Sequence, residues 1–274
     1  MIDSPRRSTE GARIVSVRGG VAGSRNDRLA GEEPLEIRAA GPAQEPVRVA
    51  VTMRTPGHDF ELAAGFLLTE GLIAPGAIDV IAYCEDDEAQ QYNVVTVRTR
   101  DPFDLGLAER NFFATSSCGI CGKAALEAVA VHCEPLPVGP SVTAPTIVSL
   151  PELMRDQQRI FERTGGLHAA ALFAESGELI VLREDVGRHN AVDKTIGMLT
   201  LTKPVAQPMI LLVSGRLSFE IVQKAAVARI PIICAVSAPS SLAVQTAETF
   251  GMTMIGFLRG EDFNIYSHPE RIEL

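Results

Sequence analysis

The chain has 274 residues, of which 46% are hydrophobic and 22% charged, and a formal net charge of −9. That composition suits a packed globular protein of one large or two modest domains and argues against a disordered one. The acid excess argues against nucleic-acid binding by charge, and without a run of eighteen apolar residues no membrane span is expected.

Residues 1–11 read as a flexible leader. The polar start MIDSPRRSTEGAR lacks the apolar segment of a secretory signal. Five cysteines, an odd number, suit free thiols in a reducing compartment, so a cytoplasmic protein is expected. The whole of 1–30 is rich in Arg, Ser and Gly and predicts a frayed segment with one short strand, Ile14 to Val17. Glu36 to Arg38 and Val47 to Met53 alternate as strands do. Thr55 to Gly57 predicts a turn, and Asp59 is placed to cap a helix. Phe60, Ala63, Ala64, Leu67 and Leu68 share one face of that helix, which ends at Gly71. His58 is either a surface loop histidine or a functional one. Ile78 to Cys84 and Asn93 to Arg98 predict strands around the acidic turn Glu85 to Glu88. Residues 12–140 therefore read as a small α+β domain with a CxxC loop at its end. Pro135, Pro137, Gly139 and Pro140 mark a linker.

Residues 141–274 read as an α/β domain. A helix over Pro151 to Arg163 comes first, and Ala169 to Phe173 is an apolar strand. Strand, polar loop and helix then repeat. Leu179 to Leu182 leads into Arg183–Asn190 and a helix, and Met209 to Val213 into Ser214-Gly215-Arg216 and a helix from Ser218. Ile230 to Val236 leads into Ser237–Ser241 and a helix from Leu242. Met252 to Phe257 is the last strand of the series. This alternation predicts a largely parallel sheet, with the strand-to-helix loops along one edge. Open α/β sheets bind ligands at that edge, and Ser/Gly loops opening helices suit phosphate.

Phe112 to Lys123 reads FFATSSCGICGK, with a glycine after each of Cys118 and Cys121. A glycine-flexed loop feeding an apolar, helix-favouring run stabilises a thiolate, and Lys123 adds a nearby cation. Half of a zinc site is one use of CxxC. It would need Cys84, Cys133 or His132 as further ligands, and neither a second CxxC nor an H-x3-H is present. A thioredoxin-like redox pair is another, but the motif lies late in the chain. Carriage of sulfur or an acyl group by a nucleophilic cysteine is the third, and two inert structural thiols are the plain alternative.

Arg183, Arg188, Arg216, Lys224 and Arg259 are the candidate anion holders at the predicted strand ends; each alone is better explained by a solvated surface charge, and it is their clustering as a set that favours the functional reading. Asp185 and Asp193 could pair with Arg188 and Lys194. His189 either donates to a phosphate or caps its helix. His168, which opens an apolar strand, reads as a satisfied core histidine. Ser214, Ser218, Ser237, Ser240 and Ser241 are helix caps by default. Without G-x-S-x-G, GxGxxG or a Walker sequence, a serine hydrolase and a standard NAD or ATP site are not supported.

SSCGICGK, GGLHAAALF, REDVGRHNAVDK, SGRLSFEIVQKA and SAPSSLAV, with TPGHDFELAAGFLLTEGLI and FNIYSHPERI, resemble the formate dehydrogenase accessory sulfurtransferases, the FdhD family. The likeness runs over residues 12–274. It implies a cytidine-deaminase-like α/β domain with a smaller N-terminal α+β domain, assembled as a homodimer. It implies a persulfide on Cys118 with Cys121 as its partner thiol, received from a cysteine desulfurase. The sulfur would pass to the molybdenum or tungsten of the bis(molybdopterin guanine dinucleotide) cofactor needed by the formate dehydrogenase catalytic subunit. Phe257, Leu258, Arg259, Gly260, Glu261 and Asp262 match the segment that contacts that cofactor. Arg183, Arg188, His189, Ser214, Gly215, Arg216, Ser237 and Ser240 join them as cofactor-binding candidates from the loop argument. Deaminase chemistry is not implied, because an H-x-E followed by PCxxC is absent. The alternative to sulfur transfer is a chaperone that binds and delivers the cofactor.

Overall fold

A computed structural model describes residues 6–83, 92–104, 106, 133–202, 207 and 209–274. The first feature departs from the sequence reading. The short strand expected at Ile14 to Val17 lies within β1 (Thr9–Arg18), but in place of a frayed leader around it β1 and β2 (Val21–Ala30) form a long antiparallel hairpin. Gly19 and Gly20, at φ 56° and 83°, make the two-residue turn, which needs left-handed backbone at both positions. Neither face is buried, so the residues carry almost no apolar alternation, and that is why the pattern shows so little of the strands.

β3 (Glu33–Ala40), β4 (Val47–Arg54), α1 (Asp59–Thr69), β5 (Ile78–Tyr83) and β6 (Val94–Thr99) make the small α+β unit. Its sheet runs β4-β3-β6-β5. Leu35, Ile37, Val95 and Val97 of the sheet pack against Leu62 and Leu67 of α1. Asp59 does not cap the helix. His58 holds the cap position in left-handed backbone, and Asp59 is buried at the first helical position. There its carboxylate accepts from Arg54 Nε and Nη2 at 2.9 and 2.8 Å. A buried arginine needs such a bidentate partner more than an exposed helix end needs a cap.

The Pro/Gly-rich stretch after Cys133 lies along the second unit. Leu136 N–H donates to Phe250 O, and Arg271 Nη2 donates to Pro137 O at 2.8 Å. β7 (Val142–Thr143) then leads into α2 (Ala144–Gln157) and α3 (Arg159–Thr164). The single helix expected over Pro151 to Arg163 is thus two. α2 starts earlier, capped by Thr143, and contains Pro151. The break falls at Gln158, where ψ is 66°, and the Glu184 carboxylate accepts from the Ile160 and Phe161 N–H groups at 2.9 and 2.7 Å. An acid supplied from a distant strand caps the new helix, which no local pattern could announce.

The second unit continues with β8 (His168–Phe173), β9 (Leu179–Asp185), α4 (Arg188–Leu201), β10 (Ile210–Val213), α5 (Phe219–Val227), β11 (Ile232–Ala235), α6 (Ser241–Thr249), β12 (Thr253–Arg259) and β13 (Asp262–Ser267), and β14 (Ile272–Glu273) pairs with β7. The sheet order is β9-β8-β10-β11-β12-β13. The class is α/β as expected, but the sheet is mixed. β10, β11 and β12 are parallel neighbours, whereas β8 is antiparallel to β9 and β10, and β13 to β12. The short connections β8–β9 and β12–β13 allow hairpins and leave no room for crossovers. Helices cover both sheet faces, so the β10 run Ile-Leu-Leu-Val is buried throughout. Ile210 and Leu212 face α2, and Leu211 and Val213 face α4 to α6.

The two units meet where α1 crosses α4. A Cβ on Gly65 would lie 1.9 Å from Asp193 O, and one on Gly197 1.8 Å from Glu61 O, so the backbones touch. Buried polar pairs surround the crossing. Lys194 Nζ is 2.7 Å from Asp185 Oδ2 and donates to Thr55 O. Lys224 Nζ reaches Glu70, Asp193 and Thr69 at 2.7, 3.0 and 2.9 Å.

Candidate functional site

β9 and β10 are both antiparallel to β8 and so point the same way as β11 and β12. The expected common edge of strand ends therefore exists. The loops along it are latched to one another. Leu217 N–H donates to Ala238 O, Ser240 N–H to Leu217 O, and Phe257 N–H to Ser237 O at 3.2, 2.9 and 3.1 Å. A shift of one loop must move its neighbours, so the edge is a rigid platform.

The fold sorts the candidate cations. Arg188 and Arg216 belong to the edge. Arg188 Nε is buried with no hydrogen-bond partner among the described residues, and Arg216 is exposed. A buried guanidinium nitrogen without an acceptor is what an anionic ligand would satisfy. Arg183 does not face the edge as proposed. Its guanidinium turns to Glu61 of α1, with Nη2 at 2.7 Å from Oε1. Burial would raise the Glu61 carboxyl, but the Arg183 and His58 hydrogen bonds overcome it and hold the pKa at about 2. Lys224 is likewise buried in its ion pairs and is not an anion holder. Asp185 pairs with Lys194 and Asp193 with Lys224, instead of Asp185 with Arg188 and Asp193 with Lys194. Arg259 is exposed and donates through Nε to Val236 O at 2.8 Å.

His189 opens α4 with Nε2 3.4 Å from Ser218 Oγ. Burial, then the charges of Arg188 and Lys224, push its pKa down to about 4. It is neutral at neutral pH and offers a phosphate one hydrogen bond but no charge. Ser214 Oγ accepts from Ala169 N–H at 2.9 Å and fastens β8 to the loop after β10. Ser240 is the cap of α6, accepting from Ala243 N–H at 3.2 Å. Gly215 sits beside His168 and Arg188, and Ser237 is half-buried next to the last strand. Phe257 is 41% exposed in left-handed backbone (φ 55°) where β12 bulges against β13. Leu258 is fully buried and anchors the segment, while Arg259, Gly260, Glu261 and Asp262 form its exposed turn.

Cys118 and Cys121 lie outside the described residues, as do Cys84, His132 and the acidic turn Glu85 to Glu88. Among the described residues no group of His, Cys, Asp and Glu could hold a metal ion. Burial raises the thiol pKa of both Cys133 and Cys234, so neither is an activated nucleophile.

Sequence reasoning missed a groove of about 570 Å³ beside the edge, lined by Met154, Gln158, Phe161, Leu167, His168 and Ser214 among others. His168 is not the satisfied core histidine expected. Its imidazole is half-buried with no hydrogen-bond partner among the described residues, and burial followed by the Arg188 charge lowers its pKa. No sequence signal points to Gln158, because its place depends on the helix break.

Loops that open helices and an arginine whose Nε lacks an acceptor suit an anionic ligand. A family model for the FdhD/NarQ family matches residues 30–273. A sulfur carrier protein FdhD of Streptomyces coelicolor is 50% identical over 98% of this chain and 97% of its own length. The protein of the same name from Mycolicibacterium paratuberculosis is 49% identical over 96% and 98%. A crystal structure from Desulfotalea psychrophila, assigned as a formate dehydrogenase accessory protein, superposes with a TM-score of 0.76 at 27% identity, over 97% of this chain and all of that one. With the motifs, the fold and nearly the full length matched, the chain belongs to the FdhD/NarQ family.

Proposed function

We propose that this protein is a sulfur carrier which loads Cys118 from a cysteine desulfurase and hands the sulfur to the molybdenum or tungsten of bis(molybdopterin guanine dinucleotide), cargo destined for formate dehydrogenase. The observation that carries this reading is the 50% identity, over nearly the whole of both chains, to a protein named a sulfur carrier. The CxxC loop supplies the chemistry. The Cys118 thiolate attacks the outer sulfur of the donor's persulfide. The donor's S–S bond breaks, a new S–S bond forms on Cys118, and the donor cysteine leaves as a thiolate, without net oxidation or reduction. Cys121 is the partner thiol.

In this reading the edge loops hold the cargo. Arg188 and Arg216 meet pyrophosphate oxygens, Gly215 and Ser237 let the backbone approach, and the turn Phe257 to Asp262 covers the nucleotide. The protein works in the cytoplasm as a homodimer. The second reading, a delivery chaperone without sulfur transfer, draws on the same row of loops, which binding alone would explain.

Intact-mass measurement after incubation with a cysteine desulfurase and cysteine tests the proposal. A gain of one sulfur atom on the loop peptide is expected, and Cys118→Ala should abolish both the gain and activation of formate dehydrogenase. Full activation by Cys118→Ala would remove this cysteine from the mechanism. An active client from the Cys118/Cys121 double variant would favour the chaperone.

A further inference from the structure

We propose that the β1–β2 hairpin is a docking arm for an extended segment of a partner protein, one that carries acids beside apolar residues, and that Arg13, Arg28 and Arg163 hold its carboxylates.

The hairpin forms a sheet of its own, so among the described residues each of its strands keeps one unpaired edge. The cross-strand register sorts its side chains onto two faces. One face carries Glu10, Asp27, Arg18 and Arg25, with Arg25 Nη2 3.3 Å from Asp27 Oδ2. The other carries Arg28 opposite Gly11, Arg13 opposite Asn26, Val15 opposite Ser24 and Val17 opposite Ala22, and no acid. At the root of this second face Ala30 lies against Gly166, just beyond α3. A cleft of about 460 Å³ opens there, lined by Arg13, Arg28 and Arg163 with Gly11 and Asn26. None of the three arginines forms an ion pair among the described residues, and Arg13 Nε donates only to the neutral Ser24 Oγ, at 3.0 Å. Guanidinium groups gathered on one cleft repel one another, and a carboxylate between them relieves that.

The rest of the face says what carries the carboxylates. Val15 and Val17 continue the row toward the tip and are 73% and 67% exposed. Cations and then apolar residues at every second position are what an added strand reads, its main chain on the open edge and its alternate side chains on the row. α3 packs beside β2, which leaves the edge of β1 for the newcomer. Two acids opposite Gly11 and Arg13 then reach the cleft, and two apolar residues cover Val15 and Val17. Gly11 has open space where a side chain would stand, so Arg28 can be reached across it. The two strands carry four arginines against two acids in a chain of net charge −9, which steers an acidic partner to the arm and away from the body. A nucleic acid fits less well, because the body repels it and residues 9–30 contain no aromatic ring for a base to stack on.

The test is fluorescence anisotropy of the full-length protein with a labelled heptapeptide, Glu-Thr-Glu-Thr-Val-Thr-Val, and with its reversed sequence. One of the two directions should bind. Glutamine in place of its glutamates, or the Arg13→Glu/Arg28→Glu double variant, should each weaken binding about tenfold. Higher salt should act in the same sense. If neither peptide binds, or if the glutamine peptide or the double variant binds as well as its parent, the arm is not an acid-docking site. Tighter binding of a single-stranded oligonucleotide or a phosphatidylserine vesicle, lost in the double variant, would overturn the protein occupant. So would a shift from dimer to monomer in that variant by sedimentation equilibrium, which would assign the face to a second copy. Should the double variant lose the hairpin, Arg163→Glu on α3 takes its place, and an unchanged affinity for the acidic peptide overturns the proposal.

Discussion

Arg216 stands exposed in the loop after β10 and makes no ion pair among the described residues, whereas Arg183 and Lys224, equally cationic in the sequence, are tied to acids inside the molecule. Charge alone did not decide their roles. The nearest carboxylate in three dimensions did. Arg216→Ala should weaken GDP binding by about threefold to tenfold, the reduced worth of a charge-assisted hydrogen bond at a screened surface. Raising the salt should weaken wild-type binding in the same sense and the variant less. Titration at two ionic strengths checks both, and an unchanged affinity would take Arg216 out of the phosphate site. His189 is a poor substitute, because its imidazole stays neutral above about pH 4.

At the scale of elements, the crossing of α1 and α4 governs how the two units meet. α1 is buried nearly all round, with Leu62 and Leu67 toward its own sheet and Leu68 in the core of the second unit. Gly65 and Gly197 allow the helices to approach until backbone meets backbone. Glycine inside a helix costs about 1 kcal/mol relative to alanine, so Gly65→Ala would stabilise the helix if the contact were loose. With the new methyl 1.9 Å from the Asp193 carbonyl, the clash should win, and the variant should lose about 3 kcal/mol. Denaturant unfolding distinguishes the signs, and a more stable variant would refute the close crossing.

For the whole molecule, buried ion pairs join the small α+β unit to the α/β unit, and they respond to acid differently. The Glu61 carboxyl sits at about 2 when folded against its ordinary 4.5. The unfolded chain therefore takes up the proton first as pH falls. The Glu61–Arg183 contribution is whole above pH 4.5 and is lost progressively toward pH 2. Asp193 runs the other way, since burial pushes its carboxyl up despite Lys224, and it does not add to this acid loss. Unfolding free energies measured across that window should fall for the wild type and fall less steeply for Glu61→Gln. Parallel pH profiles would show that the joint between the units is not acid-sensitive through Glu61.

The sequence by itself determined the series of strands that became β10, β11 and β12, their polar loops on one edge, the α/β class and the paired cysteines. Each of these rests on local apolar period or a local motif, which reports the faces of an element. Partners are another matter. Arg183 meets Glu61, and α3 takes its cap from Glu184 on another strand, across separations in the chain that no period spans. The hairpin at the start was hidden because neither of its faces is buried, and the mixed sheet because a short connection can turn a strand back without altering its apolar pattern. Only the tertiary structure decided which arginines remain available at the edge. It alone decided that Gln158 would stop one helix and face a groove, since both outcomes depend on residues brought together by folding.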